Sequence, residues 1–189
     1  RVDEALDENG IEGAAVPIRD RALVSLLAST GVRGAEIVRD TEDRRDGRQG
    51  LRWSRVDLDG GALHVLGKNQ QWEHAQLPAQ ARDHLRRHHD VQRPASEEWP
   101  VFPTAHSPSL YSAVRAQLSR RDWSEAEVEA LLEEQSVDEV LREYDVVPPA
   151  ITVRGARSLM KRLCERAEID VDGEYLKLHG ARRGLGDLL

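Results

Sequence analysis

Apolar residues recur at helical spacing near the start of the chain. Ile18, Ala22, Leu23, Leu26 and Leu27 fall three and four apart. That predicts an amphipathic helix over 17–29, with Pro17 at its first position. Residues 1–16 are acidic, contain Gly10 and Gly13 and show no sustained period. They read as a linker or frayed terminus. Thr30-Gly31 breaks the helix, a short helix through Glu36 and Ile37 follows, and Asp40 to Gly50 is a polar, charged loop. The period then changes to two. Leu51 to Val56, Ala62 to Leu66 and Glu73 to Leu77 read as strands. The turns between them, Asp57-Leu58-Asp59-Gly60-Gly61 and Gly67-Lys68-Asn69-Gln70, have the chemistry of antiparallel hairpins.

Pro78 opens a further helix with Ala81, Leu85 and Val91 on its inner side, and Leu110 to Leu118 reads as another after a proline-marked loop. Ser124 to Glu127 and Ser136 to Glu139 each fit an S-x-x-E capping box, so the acidic stretch between them is helical. Pro148-Pro149 ends it. Thr152 caps the next helix, whose Ala156, Met160, Leu163 and Ala167 make an apolar stripe. After the loop Asp170 to Lys177 a last helix starts near His179. The class expected is α+β: a mainly helical domain with a small three-stranded antiparallel sheet.

At 189 residues the chain suits one domain that can bury its own core. Its one cysteine, Cys164, excludes an internal disulfide and any multi-cysteine metal site. No long uncharged apolar run offers a membrane span or a signal-peptide core. The expectation is a cytoplasmic protein with no membrane partner.

A net charge of −7 argues at first against nucleic acid. The charge is uneven, however. Residues 121–150 carry ten acids against Arg121 and Arg142, a net of −8, and residues 1–20 add −4. The remaining 139 residues sum to +5. Lys68, Lys161 and Lys177 are the only lysines, beside 24 arginines. Such a balance fits a salt-loving organism, as in the halophilic archaea, or a GC-rich genome equally. The acidic helices could mimic DNA, bind a partner or form a solvated surface, and the last reading is favoured.

Three local features carry chemistry. Thr30-Gly31-Val32-Arg33-Gly34-Ala35-Glu36-Ile37 places an arginine in a helix-turn-helix bend. Gly67-Lys68-Asn69 places a lysine at a hairpin tip. His179-Gly180-Ala181-Arg182 puts a histidine and an arginine on one helical face. Each alone is a weak signal. Their order, with three strands after the first, resembles the catalytic domain of tyrosine recombinases, the phage-integrase and Xer-like family. The T-G-x-R-x-x-E-I box is the most specific piece. The likeness covers roughly residues 17–120 and 150–189, so 17–189 is expected to form an integrase-like catalytic domain with an acidic helical insertion at about 121–150.

The resemblance implies a DNA breaking-rejoining fold and strand transfer through a 3′-phosphotyrosyl intermediate. Arg33 and Arg182 match the catalytic arginines, whose guanidinium forks suit nonbridging phosphate oxygens. Lys68 matches the lysine that protonates the leaving 5′-oxygen, and His179 a group that assists proton transfer. Glu36 would steady the bend. Arg154, Arg157 and Lys161, on the face opposite the apolar stripe, would meet the major groove of double-stranded DNA. No metal and no cofactor is implied, and other recombinase subunits are expected partners on DNA. Tyr111, Tyr144 and Tyr175 all precede His179, so none fits the nucleophile's place. The expectation is a fragment lacking that tyrosine. The alternatives are a non-catalytic DNA-binding accessory protein or decayed integrase, and an acidic helical protein-interaction domain. His84, His88 and His89 read as a plain helix surface rather than half of a metal site. Cys164 reads as a small buried hydrophobe, and the four tryptophans as core or edge packing.

Overall fold

Ile18, Ala22, Leu23, Leu26 and Leu27 do share one buried face. In the computed structural model, which describes residues 10–169 and 175–178, that face belongs to α1 (Gly10–Thr30). The helix starts at Gly10 instead of Pro17, and Pro17 lies in its interior. The buried face beyond Pro17 carries the helix through it, despite the hydrogen bond a proline removes. Thr30 ends the helix by turning its hydroxyl back to the Leu26 carbonyl at 2.7 Å. Gly31, at φ +68°, then reverses the chain in a conformation glycine adopts without strain.

The short helix α2 (Gly34–Ile37) follows. A single 3-10 turn over Asp46–Arg48 interrupts the charged loop. The predicted first strand is mostly replaced by a second 3-10 turn at Trp53–Arg55, which leaves β1 (Val56–Asp57) two residues long. The cause is competition for backbone partners. Leu51 pairs with Ile37 and Val101, while Trp53 and Ser54 donate to the carbonyls of Trp99 and Glu97. β2 (Ala62–Leu66) and β3 (Trp72–Gln76) complete an antiparallel sheet in the order β1-β2-β3. His64 stands opposite His74 and Leu66 opposite Trp72. Leu63 and Val65 face the core.

α3 (Ala79–Gln92) packs on α1, directing Ala81, Leu85, His88 and Gln92 inward. His88 is therefore not part of a plain helix surface. It lies three residues past Leu85, on the buried face. Its Nε2 is 2.6 Å from the Val101 carbonyl, so that nitrogen carries the proton and donates it. The ring stacks parallel to Phe102. Burial pushes its pKa down to about 4.

α4 (Ser107–Ser119), α5 (Glu125–Glu134) and α6 (Val137–Glu143) pack together. Both capping boxes form: Ser124 and Ser136 accept the N–H groups of Glu127 and Glu139, whose carboxylates accept in return. The acidic stretch is more than a solvated surface. Val128, Leu131, Val140, Leu141 and Val146 belong to the same hydrophobic core as α1 and α3, while most of the acids face outward. α7 (Val153–Ala167) closes the order, with the Thr152 hydroxyl accepting the Gly155 N–H at 3.0 Å. The described residues thus form an α+β arrangement of seven helices and one three-stranded sheet. Among them no helix is long and apolar enough to cross a membrane.

Candidate functional site

Arg33 is the residue at which the chain turns into α2. Its backbone is extended (φ −83°, ψ 148°), the geometry of a helix N-cap. The Glu36 carboxylate accepts the Arg33 backbone N–H at 2.7 Å and its Nη1–H at 2.8 Å. Glu36 is buried, whereas the Arg33 side chain remains 35% exposed. One buried carboxylate therefore orients a guanidinium that still faces solvent. That arrangement can present N–H donors to an anion while satisfying Glu36.

Lys68 stands at the tip of the β2–β3 turn. The Gln70 N–H closes the turn onto the Gly67 carbonyl at 3.2 Å, and the Gly67 N–H donates to Gln71 at 2.8 Å. Gln70 adopts a left-handed conformation at φ +61°. Lys68 is fully outside the core. Its ammonium is a mobile cation on a fixed platform, suited to a phosphate or a departing oxygen.

A buried side chain from the charged loop joins these two features. Arg48 is buried, and its guanidinium donates to the Gly67 carbonyl at 2.9 Å and to the Ala35 carbonyl at 3.3 Å. Arg48 thus ties the root of the lysine turn to the helix that Arg33 caps. Asp43 sits 3.9 Å from Arg48 Nε, and Arg45 holds the Asp43 carboxyl down at about 2. In the sequence, Arg48 is one of several arginines in a charged loop. The one clue is Gly47 before it.

The start of α7 docks beside the end of α2. Arg39 N–H donates to Ile151 and the Arg39 carbonyl accepts from Val153, which docks the end of α2 onto the start of α7. On α7, Arg154, Arg157 and Lys161 are exposed, opposite Ala156, Leu159, Met160 and Cys164. Lys161 pairs with Glu165 at 3.8 Å. Cys164 is buried and its sulfur accepts the Leu176 N–H at 3.3 Å. From there residues 175–178 run back to the bend. A Cβ on Gly34 would sit 3.1 Å from Leu178 Cδ1. So Leu178, the residue before His179, packs on the residue after Arg33. His179, Arg182 and the expected last helix lie outside the described residues.

Trp53 and Trp99 are buried, Trp123 packs against Tyr144, and Trp72 lies on the outer sheet face under the Arg55 guanidinium at 3.7 Å. His64 and His74 stack beside it at 4.7 Å. Burial, with lesser effects from His74 and Arg55, lowers the His64 pKa. Among the described residues no three His, Cys, Asp or Glu side chains gather as metal ligands.

A stretch of 54 residues, 29% of the chain, is 43% identical to tyrosine recombinase XerC of Xylella fastidiosa (strain 9a5c). The match spans 15% of that protein's length. No family model and no solved structure matches the chain.

Proposed function

We propose that this chain is a DNA-facing, tyrosine recombinase-like domain whose Arg33, Lys68, His179 and Arg182 address one phosphodiester. The observation that carries the reading is the seating of Leu178 on Gly34. It brings the segment leading to His179 against the bend that presents Arg33. The bridge from Arg48 to Gly67 and Ala35 adds the lysine turn to the same neighbourhood. The partial likeness to a tyrosine recombinase supports the same assignment.

In this reading Arg33 and Arg182 hold the nonbridging oxygens, where charge accumulates as the phosphorus becomes five-coordinate. Lys68 delivers a proton to the leaving 5′-oxygen, and His179 assists proton transfer. Arg154, Arg157 and Lys161 hold the duplex backbone along the groove. No metal or cofactor enters these steps. The nucleophile's role goes to none of Tyr111, Tyr144 and Tyr175. A nicked suicide duplex is therefore expected to give no covalent adduct with this chain, and a stable adduct on any of the three would overturn that part.

Duplex binding measured across salt concentrations tests the groove assignment. Replacing Arg154, Arg157 and Lys161 together by Glu should weaken binding and flatten the slope of log K against log salt by about 3, near 0.9 for each phosphate no longer neutralised. An unchanged slope would return α7 to a solvated helix face.

A further inference from the structure

The pairing of a buried guanidinium with two carbonyls from different elements assigns a task to Arg48. A buried charge must be matched by hydrogen bonds or an opposite charge to be tolerated at all. At Arg48 the partners are the main-chain oxygens of Ala35 and Gly67 and the carboxylate of Asp43. Ala35 lies inside α2, between Arg33 and its anchor Glu36. Gly67 is the residue from which the Lys68 turn springs. Both hydrogen-bond acceptors are backbone, so Arg48 fixes the position of the two chain segments rather than of a side chain.

The local chain is shaped for this bridge. A Cβ on Gly47 would fall 2.4 Å from Leu66 Cβ and 3.0 Å from the Trp72 ring. Only glycine lets the Asp46–Arg48 turn lie so close to the hairpin. Arg45 clamps Asp43 on the far side, and Gln49 Nε2 donates to the Asp43 carbonyl at 2.6 Å. The loop is thereby closed on itself with Arg48 pointing inward. Arg48 is 8% exposed, so contact with duplex DNA falls to the exposed Lys68 and the half-exposed Arg33.

We propose that Arg48 is a positioning residue that holds the Lys68 turn in register with Arg33, so that both cations reach one phosphate. The inference rests on the phosphate-site reading above. Two cations share one phosphate only if their platforms are held to within a fraction of an ångström. The bond from Arg48 meets the Lys68 turn at its root, the Gly67 carbonyl, and so sets that spacing.

Amide hydrogen exchange and a thermodynamic cycle on duplex affinity test it together. In Arg48→Met, exchange at Gly67 and Gln70 should rise about tenfold, while α4, α5 and α6 keep their rates. Arg48→Lys, which can reach one carbonyl but not both, should fall between. Arg48→Met should also weaken duplex binding about fivefold in the native background and have no effect when Lys68 is already alanine. An unchanged turn, a rise spread equally over all helices, or an affinity loss of the same size in both backgrounds would each overturn the proposal. Absence of duplex binding by the native chain would defeat the phosphate-site reading instead, leaving exchange at Gly67 and Gln70 to decide the structural role of Arg48. Should Arg48→Met fail to fold, Arg48→Lys carries the same comparisons.

Discussion

At Glu36 a buried carboxylate holds both the backbone and the guanidinium of Arg33. Glu36→Gln keeps the shape but sets an amide NH2 donor where one of the two accepting oxygens stood. It therefore loses one of the bonds, and should cost about 1–3 kcal/mol in urea unfolding. A loss below about 0.5 kcal/mol would mean that the bend stands without it. His88 supplies a pH dependence whose sign follows from its burial. Its folded-state pKa of about 4 lies below the unfolded value near 6.5, so the unfolded chain takes up the proton first as pH falls. Stability is full above about pH 6.5, declines on acidification and levels off below about pH 4. Between pH 7.5 and 5 the native chain should lose about 2 kcal/mol more than His88→Phe. Equal pH slopes in the two proteins would contradict this origin. The helical period carries His88, three residues past Leu85, onto the buried face, and Gly47 is the one local clue to Arg48, but their partners are not legible in the sequence. A polar residue on a helix, or in a charged loop, carries no mark of the carbonyl it will meet across the fold.

Among the elements, the local signals are the legible ones. Both S-x-x-E boxes and the Thr152 cap form because capping is settled within four residues. Ser136→Ala should accordingly cost about 1 kcal/mol by thermal or urea unfolding, with Ser136→Thr nearly neutral. A loss confined to background error would show that tertiary packing alone holds α6. Alternation at Leu51 to Val56 predicts a strand but says nothing of competing partners. Ile37, Trp99 and Val101 pair with that backbone in place of β2. Pro17 signals a helix start, whereas the packed face beyond it lets α1 run through. Charge alone marks the acidic helices as surface, yet their Val and Leu positions at helical spacing enter the core.

For the whole molecule, the −7 balance is a sum over unlike parts. The acids of α5 and α6 largely face solvent, and the cations of interest come from the Arg33 bend, the hairpin tip and α7. The order of these features along the chain is legible in the sequence. The Arg48 bridge ties the hairpin root to α2, and the Arg39 backbone pairing with Ile151 and Val153 sets the start of α7 beside it, long-range contacts that no local pattern announces. A phosphate held by Lys68 and Arg33 can be sought by covalent capture, because Lys68, Lys161 and Lys177 are the only ε-amines present. The aldehyde of an abasic site in a duplex condenses with a lysine amine to an imine with loss of water. Added borohydride reduces the imine to a stable secondary amine, and the modified lysine is mapped by mass spectrometry. Lys68 should be the principal adduct, diminished when Arg33 is replaced by alanine. Capture confined to Lys161 and Lys177, or no capture at all, would contradict a phosphate site built on Arg33 and Lys68.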